Sequence, residues 1–167
     1  MLPVLQVNQS MSTVGFCQIN QKTSPRIAIV IPARMDSQRL PNKALIPFNE
    51  LPMLEHVRRR GLLNSFGIPV FVTSGDIQII DTTEGFGGLT SLSHLNHLNG
   101  TSRVQEFSEN TEFSHFLILQ GDEILVLPAQ LDSIITSIME DPEVDFWNMV
   151  TPLKQQDELT NLSVVKS

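Results

Sequence analysis

Ile27-Ala-Ile-Val-Ile-Pro-Ala-Arg-Met-Asp-Ser-Gln-Arg-Leu-Pro-Asn-Lys43 is the stretch on which the fold turns. Its first five residues are continuously apolar and mostly β-branched, and Pro32 stops them. A strand wet on one face alternates; an unbroken apolar strand is dry on both, as in a parallel sheet covered by helices. A polar loop follows, holding Arg34, Arg39 and Lys43. Arginine offers a planar fork of donors to phosphate oxygens, and lysine adds a mobile point charge. Ser37 and backbone amides can complete such a cradle. The glycine-rich P-loop and the dinucleotide fingerprint are both absent, so side chains must supply much of the grip. A solvated loop without a ligand is the competing reading of these residues taken alone.

Downstream, Pro52–Asn64 reads as a helix: Pro52 suits its first turn, and Met53, Leu54, Val57 and Leu62 lie along one face. Ile68–Thr73 is a second strand. Asp76 can cap a helix to about Phe86 that Gly87-Gly88 ends. Leu89–Leu92 is a weaker strand, Asn99-Gly100 a turn, and Thr101–Ser108 a short helix. His115–Leu119 is a further buried strand, with Gln120-Gly121-Asp122-Glu123 leaving its end. Pro128 opens a helix to Glu140 with Leu131, Ile134, Ile135 and Ile138 at helical spacing. Val144–Val150 and Ser163–Lys166 are expected as strands. Alternating strands and helices imply an α/β fold, three-layered and Rossmann-like, with a mostly parallel central sheet. Residues 1–25, rich in Ser, Gln, Asn and Thr, are expected to be a flexible extension, with Met11 an alternative start; residues 26–167 form the domain.

In such sheets ligands bind beyond the carboxyl ends of the strands. Two segments leave those ends with suitable chemistry: Pro32–Lys43 and Gln120–Glu123. Asp122 and Glu123 can hold a divalent cation, because Mg²⁺ commonly combines one or two carboxylates with substrate phosphates. Gln120 carries both a donor and an acceptor, which suits a base edge, and Gly121 is expected to let the backbone turn tightly. A turn with a capping aspartate is the alternative for this segment alone.

Composition narrows the classes. The 167 residues are 41% hydrophobic with a single cysteine, Cys17, which rules out an internal disulfide framework and a cysteine-based zinc site and fits a cytoplasmic setting. A net charge of -7 argues against general nucleic-acid binding. No apolar run approaches a membrane span, and the start lacks the basic region of a secretory signal. Of the 11 Lys and Arg residues, Lys22, Arg26, Arg34, Arg39, Lys43, Arg58, Arg59 and Arg60 fall in one stretch, as a compact anion would require. For Arg58–Arg60 a solvated helix face is the preferred reading. His94 and His97 make a weak zinc pair, and His56 and His115 read as structural.

Ile29-Val-Ile-Pro-Ala-Arg34, Ser37, Arg39-Leu-Pro41 and Lys43 together resemble the opening signature of the CMP-Kdo synthetases (3-deoxy-manno-octulosonate cytidylyltransferases). Leu51-Pro-Met-Leu-Glu-His-Val57, His97-Leu-Asn-Gly-Thr-Ser-Arg103, Leu119-Gln-Gly-Asp-Glu123, and Asn161 with Ser163-Val-Val-Lys166 are similar to later family motifs, in family order. The resemblance implies transfer of CMP from CTP to an acidic sugar, Kdo or a relative, with release of pyrophosphate, for lipopolysaccharide or capsule synthesis. It implies that Arg34 and Lys43 grip the triphosphate and that Ala33, Ser37 and Arg39 belong to the same loop. It further implies that Asp122 binds Mg²⁺, that Gln120 and Arg103 place the nucleotide, and that the protein is a homodimer. Asn42 stands where the family has glycine, a position that still admits a left-handed backbone. Ile124 replaces a proline, Ser102 an acidic residue, and Ser74-Gly75-Asp76 a Thr-Asp-Asp, so no site is assigned there. The chain stops before the family's later pattern, with its sugar contacts, second metal carboxylate and much of its dimer surface. The expectation is therefore a fragment or C-terminally truncated product; a nucleotide-binding remnant without turnover and a nucleotidyltransferase for another acidic sugar, such as sialic acid, are the alternatives.

Overall fold

The strand β1 (Ile27–Pro32) is buried along its whole length, and its two faces belong to two different cores. Ile27, Ile29 and Ile31 pack on one side with Leu54, Val57, Ile79, Leu131, Ile135 and Ile138. Ala28 and Val30 pack on the other with Val104, Phe107, Phe71, Phe113 and Phe116. Period-two geometry does the sorting, since successive side chains point to opposite faces. The fully dry isoleucines Ile29 and Ile31 each contribute on the order of 2 kcal/mol of transfer free energy.

A computed structural model describes residues 24–37, 40–94 and 96–150. After β1 come a 3-10 turn (Lys43–Leu45), the short hairpin β2 (Pro47–Phe48) and β3 (Leu51–Pro52), and α1 (Met53–Gly61). Then follow β4 (Val70–Ser74), α2 (Ile77–Gly85), β5 (Leu89–Leu92), α3 (Gly100–Glu109), β6 (His115–Ile118) and α4 (Pro128–Glu140). The main sheet has the order β5-β4-β1-β6, and every pairing in it is parallel. Helices α1, α2 and α4 contribute to the core on one face and α3 to the core on the other, giving three layers. The chain runs from β1 outward to β4 and β5, then returns past β1 to β6. Right-handed crossovers in opposite directions require helices on opposite faces, which is why α3 stands apart. Strands β1 and β6 are parallel neighbours, so the segments that leave their carboxyl ends start side by side, at the end of the sheet where such folds take ligands.

The hairpin is an element that pattern reading missed. Asn49 and Glu50 both have positive φ (45° and 68°), the geometry of a tight hairpin turn. Glutamate does not advertise that conformation as glycine would. The hairpin hands the chain to α1, whose first amide, Met53 N–H, donates to Ile46 O at 2.9 Å. Gly87 ends α2 as expected, with φ of 72°. Val144–Val150, expected as a strand, is not one: Phe146 is 78% exposed, and the segment pairs with no strand among the described residues. Strand propensity expresses itself only against a neighbour. Residues 1–23 of the expected extension and Ser163–Lys166 lie outside the described residues.

Arg58 overturns a second expectation. It is not on a solvated face: it is buried, donating from Nε and Nη2 to both oxygens of Glu55 (2.7 and 2.8 Å) and from Nη2 to Phe86 O (3.1 Å). Arg59, more exposed, also donates to Glu55 at 2.7 Å. Burial pushes the Glu55 carboxyl upward, but hydrogen bonds and charge from the two arginines outweigh it and hold it below the usual range.

Candidate functional site

Lys43 and Asp122, 79 positions apart, meet in an ion pair between Lys43 Nζ and Asp122 Oδ2. Each side gets there for a local reason. Asn42 takes the left-handed conformation (φ 57°, ψ 22°), so the chain reverses immediately before Lys43. Asparagine tolerates that region better than most residues, and it serves here in place of glycine. On the other side β6 delivers Leu119, whose amide still donates to Val30 O at 3.0 Å. The chain then leaves the sheet through a turn in which Glu123 N–H donates to Gln120 O (3.1 Å) and Ile124 N–H to Asp122 O (3.0 Å). Gly121 is not needed for a positive φ there: a Cβ would meet its nearest neighbour, Pro32 O, at an ordinary 3.6 Å. The tight turn expected at that glycine does form, but it does not use the left-handed conformation that would require one.

The rest of the loop after β1 is held at one residue, Met35. Its N–H donates to Asp76 Oδ2 at 2.8 Å, and its carbonyl accepts from Asn42 N–H at 3.1 Å. Ala33 is buried and continues the ladder, its N–H donating to Thr73 O at 3.0 Å. Arg34, between these fixed points, is exposed, and Ser37 is half-buried. Arg39 lies outside the described residues. Asp76 opens α2, but its side chain makes no capping hydrogen bond, contrary to expectation.

Arg103 is 8% exposed, on the face of α3 turned toward the sheet, and its Nη1 has no hydrogen-bond partner among the described residues. Burial depresses its pKa, the charges of Asp76 and Glu106 oppose that, and Arg34 is near enough to add to the depression. The structure thus brings Lys43 to Asp122 and Arg34 toward Arg103. No ion pair joins Arg34 to Asp122 among the described residues. Gly100 allows the close packing of α3 here, since a Cβ would lie 2.8 Å from Pro32 Cγ.

Glu106 organises the segment leading into α3. Ser93 Oγ donates to its Oε2, His97 Nε2 lies 2.7 Å from the same oxygen, and His94 N–H donates to Oε1 at 3.0 Å. These bonds, from Ser93 first and then His97 and the His94 amide, lower the Glu106 carboxyl to a pKa of about 2. His97 is thus engaged with a carboxylate, and no three His, Cys, Asp or Glu side chains converge on a metal site among the described residues. His56 and His115 hydrogen-bond backbone carbonyls, of Phe48 and Pro142, as structural histidines do.

Asp122 is half exposed, with Gln120 and Glu123 also exposed beside it and Lys43 opposite. One carboxylate with open space around it suits a cation that takes its remaining ligands from phosphate and water; it does not suit a cation caged by protein. The turn after β6 thus presents its polar side chains at an exposed surface. A small concavity lies elsewhere, lined by Leu45, Leu54, Glu55, Arg58 and Phe86 among others.

The family model described as Cytidylyltransferase matches residues 28–167. A 3-deoxy-manno-octulosonate cytidylyltransferase of Geotalea daltonii is 32% identical over 141 residues, covering 84% of this chain and 56% of that protein. An 8-amino-3,8-dideoxy-manno-octulosonate cytidylyltransferase of Shewanella piezotolerans is 31% identical over 144 residues, covering 84% and 59%. Among solved structures, a CMP:2-keto-3-deoxy-manno-octonic acid synthetase complexed with CTP has 32% identity and a TM-score of 0.68, over 71% of this chain and 49% of that one. The chain spans just over half the length of the curated relatives it matches. No helix among the described residues is long and apolar enough to cross a membrane.

Proposed function

This chain belongs to the cytidylyltransferase family, and from that premise we propose that it binds CTP at the loop after β1 and the turn after β6, for transfer of CMP to Kdo or a related acidic sugar. In this reaction the sugar's anomeric oxygen attacks the α-phosphorus and forms the new P–O bond. The bond from that phosphorus to the α–β bridging oxygen breaks, pyrophosphate leaves with its electron pair, and the hydroxyl proton passes to solvent. Chemistry of this kind needs positioned reactants and neutralised phosphate charge more than an elaborate nucleophile. The product is the activated sugar for lipopolysaccharide or capsule assembly.

The ion pair between Lys43 and Asp122 is the observation that carries the reading. It puts the cation that would meet the triphosphate beside the carboxylate that would hold Mg²⁺. When bound, that ion would supply charge neutralisation at the phosphates. Lys43 and Arg34 would bind the triphosphate, with Ser37 and Arg39 supporting the loop. Gln120, exposed just beyond β6, would read the base. Arg103 would act from beneath, through the residues around it, because it is buried. The relatives named for Kdo and for its 8-amino counterpart support an eight-carbon acidic sugar over sialic acid.

Calorimetry with CTP, UTP, GTP and ATP, each with and without Mg²⁺, tests the nucleotide site. CTP is expected to bind tightest. Asp122→Asn is expected to weaken CTP binding about tenfold with Mg²⁺ and far less without it. Equal losses in both conditions would remove Asp122 from the metal role. Pyrophosphate release from CTP, Mg²⁺ and Kdo tests turnover, and its absence alongside CTP binding would leave a nucleotide-binding protein without transfer.

A further inference from the structure

We propose that Asp76 is a positioning residue that sets the cation loop through the backbone of Met35. The affinity part of this inference rests on the nucleotide-binding reading; the structural part does not. Asp76 occupies the N-cap position of α2 with extended dihedrals (φ -97°, ψ 112°), yet its carboxylate does not cap that helix. It reaches 41 positions back to the Met35 amide, accepting at 2.8 Å.

The ladder between β1 and β4 explains why that contact matters. Ile29 N–H donates to Pro69 O and Ala33 N–H to Thr73 O, and because alternate residues of a strand face the same neighbour, the donors toward β4 fall at every second position. Met35 is the next residue in that series. Its amide finds a side-chain carboxylate where the ladder has run out of strand. Asp76 therefore extends the strand's order by one more step into the loop, and Arg34 lies between two anchored amides.

The anchor then propagates. Met35 O accepts from Asn42 N–H, closing the loop at its base, and the left-handed Asn42 directs Lys43 toward Asp122. Asp76 is itself held: its N–H donates to Ser74 Oγ at 3.0 Å, and Ser74 is fully buried. The buried Arg103 guanidinium is near enough to feel the Asp76 charge. One aspartate outside both cation loop and metal turn thus fixes the direction of Arg34 and the starting point of Lys43.

Amide hydrogen exchange on ¹⁵N-labelled full chain, paired with CTP calorimetry, tests this for Asp76→Ala and Asp76→Asn. Asp76→Ala is expected to speed Met35 exchange about tenfold and weaken CTP binding about tenfold. The Ile79 and Ile80 amides, which donate to the Asp76 carbonyl at 3.0 and 3.3 Å, should keep their protection. Asp76→Asn keeps an oxygen acceptor, so Met35 exchange should rise only roughly threefold and part of the affinity should return. Should Asp76→Ala not fold, the selective change at Met35 in Asp76→Asn carries the test alone. Unchanged Met35 exchange overturns the proposal, as does an equal loss of protection at Ile79 and Ile80, which would mark a plain helix cap. A native chain that fails to bind CTP sinks the nucleotide reading instead, while the Met35 measurement still decides the clamp.

Discussion

Glu55 with Arg58 and Lys43 with Asp122 are both carboxylate–cation pairs, and they differ in what water can reach. The first is closed off, with side chains 3% and 8% exposed, and Arg58 spends further donors on Phe86 O. The second is open, with Lys43 30% and Asp122 51% exposed, and its partners come from separate loops at the carboxyl end of the sheet. A buried pair cannot trade partners without leaving a bare charge in a poor dielectric. An open pair holds by no more than about 1 kcal/mol and can give way to a phosphate or a cation. The sequence offered these cations as one cluster; burial divides them into framework and site.

The contrast breaks most visibly at Glu55. Glu55→Ala strands the buried Arg58 guanidinium and is expected to cost about 3–5 kcal/mol of unfolding free energy, measured by urea denaturation. A loss below about 1 kcal/mol would place this pair with the open one.

Glu106 provides a second, titratable probe of the framework. Its carboxyl is lowered from 4.5 to about 2 in the folded chain, so ionisation favours folding. The sign follows from linkage: a depressed pKa contributes stability that is present above the unfolded value and is lost as pH falls through the folded one. The contribution should be fully present above pH ~5 and should shrink steadily as pH falls toward about 2. The measurement is the margin between native chain and Glu106→Gln across that range. A margin independent of pH would mean that Ser93, His97 and the His94 amide do not stabilise the ionised form.

The sequence made the sheet legible because its signals are local. Five continuous apolar residues at Ile27–Ile31 can hardly be anything but a doubly covered strand, and Pro128 with Leu131, Ile135 and Ile138 marks α4 to both ends. The site was half legible. That Lys43 and Asp122 would meet followed from both leaving carboxyl ends of parallel strands. Which cations would be buried did not, because Lys22–Arg60 reads alike whether a neighbouring helix covers it or not. Asp76 was read as a cap for the same reason: its sequence neighbours are a helix, whereas its partner, Met35, is a tertiary fact. The β2–β3 hairpin escaped because Glu50 adopts positive φ without the glycine that would signal it. Val144–Val150 misled in the other direction, its aromatic and β-branched residues pairing with no strand among the described residues.

The smallest stability effect is expected where the functional effect is sharpest. Lys43→Met keeps most of the apolar stem and removes the charge opposite Asp122. Because both side chains are wet and the attraction is screened, the unfolding free energy should move by less than about 1 kcal/mol. CTP affinity should nonetheless fall about tenfold, since the triphosphate would lose a cation that the fold does not need for itself. Raising the salt concentration should shrink the affinity gap between native chain and variant, as expected of an exposed charge. A large loss of stability with unchanged CTP binding would reverse the assignment, making Lys43 and Asp122 the framework and leaving the loop after β1 without its principal grip.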